Sequence, residues 1–249
     1  MLGNRVVLPS RGLMYPNLVD GEVEILPMKT GQEELLAGRF DMIPILNQLI
    51  ESCVPTLKTA GIRPLELLSG DRLFLLFMIR KYTYGPLYGF KIKCPGCSLS
   101  FRKEINIPDD LELNELQDGD TPPYFVTLTD KKTEVGFRLL SGKDEVEIER
   151  YRNQIFKKRS IKAGDPSYSY TIAQHIVCIN QKEVDLRESL EFVRDMVGMD
   201  SLVLQDAIQK KEPGISRGLE FECPQCGYDV ETLMPYSAEF FRPKLGGGS

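Results

Sequence analysis

Apolar positions change period several times along the chain, and each change marks an expected boundary. The first thirty residues are turn-rich, with Leu8-Pro9-Ser10-Arg11-Gly12 followed by Tyr15-Pro16, and a strand is expected over residues 22–28. Thr30-Gly31-Gln32-Glu33 reads as a capping box opening a short helix to about Ala37. From Pro44, whose missing N–H costs nothing at a helix start, Ile45, Leu46, Leu49, Ile50 and Cys53 recur at helical spacing. Ser69 reads as the cap of a helix through Asp71 and Arg80 that ends near Gly85-Pro86. That helix is apolar on nearly every side, so it is expected at the centre of the N-terminal half.

Residues 88–93 and 101–107 then read as strands, as do 219–222 and 228–234. Residues 124–129 and 133–139 alternate around Asp130-Lys131-Lys132 and predict a β-hairpin. From Ser141 the period lengthens to that of helices, and four are expected before Pro213-Gly214. Their inward faces are Ile148, Tyr151 and Ile155; Tyr168, Ile172, Ile176 and Ile179; Leu186, Leu190, Val193 and Val197, capped by Asp185; and Leu204 and Ile208, capped by Asp200. His175 shares the second of these faces and reads as a packed core histidine, and Cys53 as a small buried hydrophobe.

Two cysteine pairs give the strand runs a chemistry. Cys94-Pro95-Gly96-Cys97 and Cys223-Pro224-Gln225-Cys226 each lie between two strands, the layout of a zinc ribbon. A Cys-x-x-Cys turn offers two thiols to one tetrahedral cation, and two such turns complete a closed structural site for one Zn²⁺. Residues 98–222 separate the halves, whereas such pairs usually lie roughly 15–20 residues apart. Spacing alone therefore leaves open whether they share an ion. A redox role needs a thioredoxin-like context, and a catalytic zinc keeps an open position. With His175 the single histidine, no catalytic residue is identified and no enzyme is expected.

The expected fold class is α+β: a discontinuous four-cysteine zinc ribbon with an N-terminal helical region and an inserted β-hairpin plus helical block. The segments are an extended arm and strand (1–29), the N-terminal helical region (30–87), the first half of the ribbon (88–107), an acidic loop and hairpin (108–140), the inserted helical block (141–215), and the second half of the ribbon with an aromatic tail (216–243). The glycine-rich end (244–249) is flexible linker in composition and is excluded from the fold.

Composition narrows the functional classes. The chain has 249 residues, 42% of them hydrophobic and 27% charged, as an ordinary soluble globular protein does. No secretory signal is visible at Met1-Leu2-Gly3-Asn4-Arg5, and the longest apolar run, 73–79, is far below the roughly 20 residues that span a bilayer. A cytosolic protein without a membrane span is expected, its six cysteines serving metal and core packing. The formal charge of −5 disfavours a general phosphate-backbone binder. Lys91, Lys93, Arg102 and Lys103 nevertheless cluster by the first knuckle. The preferred reading is that they offset an anionic zinc–thiolate centre; the alternative is a nucleic-acid-binding zinc-ribbon protein of transcription or replication.

Several segments, taken in order, resemble one family. They are Leu8-Pro9-Ser10-Arg11-Gly12 with Tyr15, Leu26-Pro27-Met28 through Glu33-Glu34, Ser69-Gly70-Asp71-Arg72, Tyr84-Gly85 before the first cysteine pair, Pro213-Gly214-Ile215 before the second, and Phe240-Phe241-Arg242-Pro243. This set, from about Leu8 to Pro243, resembles the T4-type phage baseplate protein family, whose members are hub components or hub assembly chaperones of contractile tails. The resemblance implies a non-enzymatic role in building the central hub inside the infected bacterium, with baseplate hub proteins as partners. Retention in the finished particle and self-association stay open. The sequence leaves open whether the arm lies along a partner or forms an edge of the protein's own sheet, and whether the two phenylalanines bury against the ribbon or another subunit. On the resemblance, partner contacts are assigned to protruding parts: Leu8, Pro9, Ser10, Arg11 and Tyr15 of the arm, Phe240, Phe241 and Arg242 of the tail, and the acidic loop.

Overall fold

The computed structural model describes residues 4–37, 42–156, 165, 167–235 and 238–241. Strands β1 (Asn4–Val7) and β2 (Glu22–Ile25) pair antiparallel, Val7 opposite Glu22. The chain between them is a compact loop of successive turns: the Leu8 N–H donates to the Gly21 carbonyl at 2.9 Å and that of Tyr15 to the Gly12 carbonyl at 2.9 Å. Gly12, at φ +75°, is required here, because a Cβ would lie 2.3 Å from the Leu18 carbonyl oxygen.

Helices α1 (Thr30–Ala37), α2 (Met42–Cys53), α3 (Pro55–Thr59) and α4 (Ser69–Tyr84) follow. Ile45, Leu49, Ile50 and Cys53 form the buried face of α2, and α4 is buried from Gly70 to Arg80 apart from Leu73. The end of α4, at Gly85 with φ +89°, turns into the hairpin of β3 (Leu87–Lys93) and β4 (Ser100–Asn106). The short β5 (Leu113–Asn114) lies in the acidic segment, ahead of β6 (Tyr124–Thr127) and β7 (Glu134–Phe137). Helices α5 (Gly142–Phe156) and α6 (Ser167–His175) lead to β8 (Ile176–Ile179) and β9 (Lys182–Glu183), so that β6-β7-β8-β9 form one antiparallel sheet. Helices α7 (Leu186–Asp195) and α8 (Gly198–Lys211) precede β10 (Gly214–Ile215), which pairs with β5. The chain closes with the hairpin of β11 (Gly218–Glu222) and β12 (Asp229–Leu233) and a terminal turn of helix, α9 (Ala238–Phe241). Mixed helix and strand agrees with the α+β class. Among the described residues no helix is long and apolar enough to cross a membrane.

Five local expectations are corrected. Ile176 and Ile179 lie in a strand, not on a helix. Ile176-Val177-Cys178-Ile179 is rich in β-branched residues, and Asn180 and Gln181, at φ 49° and 65°, make the two-residue turn that joins β8 to β9. Asp200 is not a cap; its carboxylate accepts from the Thr129 N–H at 2.8 Å and hydroxyl at 2.5 Å, tying α8 to the β6–β7 hairpin. Val197, past the end of α7, is 66% exposed. The capping box at Thr30 and the cap at Ser69 are also absent. Gln32, not Glu33, accepts from the Lys29 N–H at 2.8 Å, and Glu33 instead takes the Tyr84 hydroxyl. Ser69 sits inside α4, its N–H donating to the Leu140 carbonyl at 2.9 Å. His175 is buried as expected, Nδ1 lying 2.8 Å from the Arg138 carbonyl oxygen.

Candidate metal centre

The two cysteine pairs sit at the tips of β3–β4 and β11–β12 in the same backbone frame. The Cys94 N–H donates to the Leu99 carbonyl at 2.8 Å and that of Cys223 to the Tyr228 carbonyl at 2.9 Å. The Ser98 and Gly227 N–H groups return to the Cys94 and Cys223 carbonyls, each at 2.9 Å. Ser98 and Gly227 both adopt the left-handed conformation, φ 62° and 67°, that such a tight knuckle needs.

This frame brings all four thiols together despite the long insertion. Sγ of Cys94 lies 3.7 Å from that of Cys226, Sγ of Cys97 lies 3.7 Å from that of Cys223, and all four fall within 4.8 Å of one another. A disulfide would need about 2.05 Å. A tetrahedron of sulfurs about 2.3 Å from a central zinc has an edge of about 3.8 Å. The set can therefore hold one metal ion, with no fourth position left for water. Electrostatics point the same way. Against its burial, the N–H groups of Gln225 and Cys226 and the neighbouring thiols bring Cys223 down to about 6. Against a bond from the Tyr228 N–H that lowers it, burial and the surrounding thiols push Cys226 up to about 12. One thiolate forms readily, and further ones need a cation between them. Among the described residues no other group of three or more such ligand atoms converges.

Around the thiols, Ile92, Leu99, Phe101, Phe221 and Val230 form a small apolar cluster, Phe101 meeting Phe221 edge-on at 6.0 Å. The Tyr228 ring covers Gly96, where a Cβ would lie 2.9 Å from the ring. Of the four cations beside the knuckle, Lys103 turns inward, its Nζ 5.2 Å from the centre of the Phe221 ring.

The residues expected to reach a partner lie elsewhere. Leu8, Pro9 and Ser10 are buried, as is Tyr15, and the arm is latched to the first turn of α4. The Ser10 N–H donates to Asp71 Oδ1 at 2.9 Å, the Tyr15 hydroxyl donates to Asp71 Oδ2 at 2.7 Å, and the Leu68 N–H donates to the Tyr15 oxygen at 2.7 Å. Burial raises both the Asp71 carboxyl and the Tyr15 phenol. A protruding arm is thus corrected to an internal one, because a buried carboxylate needs these donors. Arg11 is half-buried and pairs with Asp118 at 3.2 Å, and the acidic segment is pinned by this pair, by Asp120 to Lys211 at 2.5 Å, and by the Leu116 N–H to the Pro9 carbonyl at 3.0 Å.

At the same turn Gly70 meets Pro213-Gly214: a Cβ on Gly70 would lie 1.5 Å from the Pro213 oxygen, and Gly214 has φ +133°. Arg72 joins α4 to Asn47 of α2 at 2.7 Å and to Glu145 of α5. Burial, with the charges of Glu145 and Asp71, pushes the nearby Glu212 carboxyl up to about 7.

The tail turns inward too. Phe240 and Phe241 are fully buried, Phe240 lying 4.9 Å from Phe77 of α4 and 4.9 Å from Tyr88 of β3, with the Arg80 guanidinium 5.5 Å over its ring. Two adjacent phenylalanines carry too much apolar area to leave in water. Arg242 lies outside the described residues. The latch residue Asp71 and the bridging Arg80 were missed as site residues, although a charge inside an otherwise apolar run is a visible signal for a buried polar contact.

A family model described as "T4 bacteriophage base plate protein" matches residues 8–242. No curated protein and no solved structure matches the chain. The match takes in the latched arm, the two knuckles and the buried tail, leaving only residues 1–7 and 243–249 outside, and the chain belongs to the T4 bacteriophage base plate protein family.

Proposed function

We propose that this baseplate protein is a non-enzymatic subunit or assembly chaperone of the central hub, acting by protein–protein contacts on a scaffold stabilised by one zinc ion. Cys94, Cys97, Cys223 and Cys226 would hold the ion. The observation that carries this reading is the convergence of four thiols, from hairpins far apart in sequence, at the spacing of a closed tetrahedral site. Such an ion contributes folding free energy, on the order of 10–16 kcal/mol in small zinc domains, and offers no position for substrate.

With the arm and tail inside the core, partner contacts fall to other exposed surfaces. The start of α8 presents Met199 and Leu202, each 59% exposed, next to Val197, the kind of apolar surface that protein partners cover. The setting is the cytoplasm of the infected bacterium during tail assembly, and the particle itself if the protein is a permanent subunit. The test is infection with phage lacking this chain, complemented by the wild type or by Cys97→Ser/Cys226→Ser. Electron microscopy of lysates is expected to show hub and baseplate assembly failing without the protein and restored by the wild type only. Complete baseplates in its absence would refute the role. An immunoblot of purified particles separates subunit from chaperone.

A further inference from the structure

The two ribbon hairpins repeat one another position by position, and at three matched positions their charges are reversed. Lys93 and Glu222 stand one residue before the first cysteine of their pair, Lys91 and Glu220 stand three before it, and Arg102 and Glu231 stand five after the second cysteine. All six are exposed. Alternate side chains of a strand point to opposite faces, and here the inner faces pack on each other through Phe101 and Phe221. The outer faces therefore look away from one another, on opposite sides of the ribbon.

The outer face of β3–β4 is basic, its one acid being Glu104, 3.5 Å from Arg102. The outer face of β11–β12 carries Glu220, Glu222, Asp229 and Glu231 and no cation. Register sets Glu220 directly across from Glu231 and Glu222 across from Asp229, and none of the four forms an ion pair with a described residue. Like charges in direct register weaken a hairpin, so a cationic surface laid on this face would stabilise it. Each face also ends, at its base, in an exposed leucine: Leu87 at 63% and Leu233 at 64%.

We infer that the ribbon is a head-to-tail coupling, in which the basic β3–β4 face of one copy docks on the acidic β11–β12 face of a second copy. With the hairpins aligned tip to tip, Lys91 and Arg102 meet the level of Glu220 and Glu231, and Leu87 falls two residues nearer the base than Leu233. Because the two faces lie on opposite sides, a contacting pair leaves one of each free, and the contact propagates into a ring or a stack. A nucleic-acid backbone would take the basic face but be repelled by the acidic one. The inference holds whether the chain is a hub subunit or a chaperone.

The test is sedimentation velocity of the zinc-loaded chain. Association that grows with concentration is expected in about 50 mM salt, weakened at least about tenfold in about 500 mM salt by screening. Lys91→Glu/Arg102→Glu makes both faces acidic and Glu220→Lys/Glu231→Lys makes both basic; each alone is expected to stay monomeric, and an equimolar mixture to associate again. Unchanged metal content and circular dichroism report that the variants fold, and the milder Lys91→Ala/Arg102→Ala and Glu220→Ala/Glu231→Ala serve where they do not. A wild type that stays monomeric in low salt, variants that associate like the wild type, or folded variants whose mixture stays monomeric would overturn the inference. So would a Lys91→Glu/Arg102→Glu variant that loses nucleic-acid binding but still self-associates.

Discussion

Replacing Tyr15 by phenylalanine removes a single oxygen atom, yet that oxygen is both donor to Asp71 and acceptor from the Leu68 N–H, each at 2.7 Å in a buried site. A hydrogen bond to a charged group contributes about 1.5–3 kcal/mol, and a buried N–H left without an acceptor costs about 1–3 kcal/mol. Tyr15→Phe should therefore destabilise the protein by about 3–5 kcal/mol, a large share of a typical domain's stability. Urea unfolding at pH 7 should show the midpoint falling by about 1–2 M with the slope unchanged. Asp71→Asn keeps an acceptor for the Ser10 N–H and removes the buried charge, so it should cost less, about 1–2 kcal/mol. The two changes share one latch, and Tyr15→Phe should cost markedly less when Asp71→Asn is already present. A loss below about 1 kcal/mol for Tyr15→Phe, the level of an ordinary surface substitution, would refute the latch.

Four further outcomes are expected. Glu212 is pushed up to about 7 from an ordinary value near 4.5, so the folded state holds its proton more tightly and the stability this gives below about pH 4.5 is lost as pH rises through 7. Glu212→Gln should match the wild type near pH 4.5 and exceed it by up to about 3 kcal/mol at pH 8 in urea titrations, and equal stability at both pH values would exclude the shift. Gly70→Ala places a methyl 1.5 Å from the Pro213 oxygen and should cost about 3 kcal/mol or more. Gly31→Ala in the open first turn of α1, with nothing within 4 Å, should be neutral or stabilise by up to about 1 kcal/mol. Elemental analysis should find one zinc per chain, lost equally in Cys97→Ser and Cys226→Ser; two ions lost independently would break the shared site.

What could be read from sequence depended on how local each interaction is. The buried face of α2, the apolar α4 and the strand runs beside each cysteine pair follow from neighbours within a few residues, and the structure has them where the pattern put them. The caps failed because the groups that took Glu33 and Ser69 are remote: Tyr84 in one case, the Leu140 carbonyl in the other. The α6–β8 boundary failed because Ile172, Ile176 and Ile179 fit a helical period, while the turn at Asn180-Gln181 that ends the strand is set by backbone conformation. The turn-rich arm could be read either way from sequence, and it is buried because polar turns bury well when a charge such as Asp71 waits for their N–H groups.

The same contrast explains why the metal site matters to the surface it carries. The bases of both ribbon hairpins belong to the main core through Phe90, Ile105, Leu219 and Met234, next to the Phe240–Tyr88–Arg80 contact. The tips belong to a second cluster whose fully buried members are Cys94, Cys223 and Val230, joined to the main core through the partly buried Ile92 and Phe221. Isolated two-stranded hairpins are marginal in water, and three buried residues cannot hold two of them, one loaded with opposed carboxylates, against each other. Four thiols around one cation can. An ion held there would fix the level at which Lys91 and Arg102 stand on one side and Glu220 and Glu231 on the other, while α4, gripped by the arm at one end and the tail at the other, sets where that two-faced ribbon points.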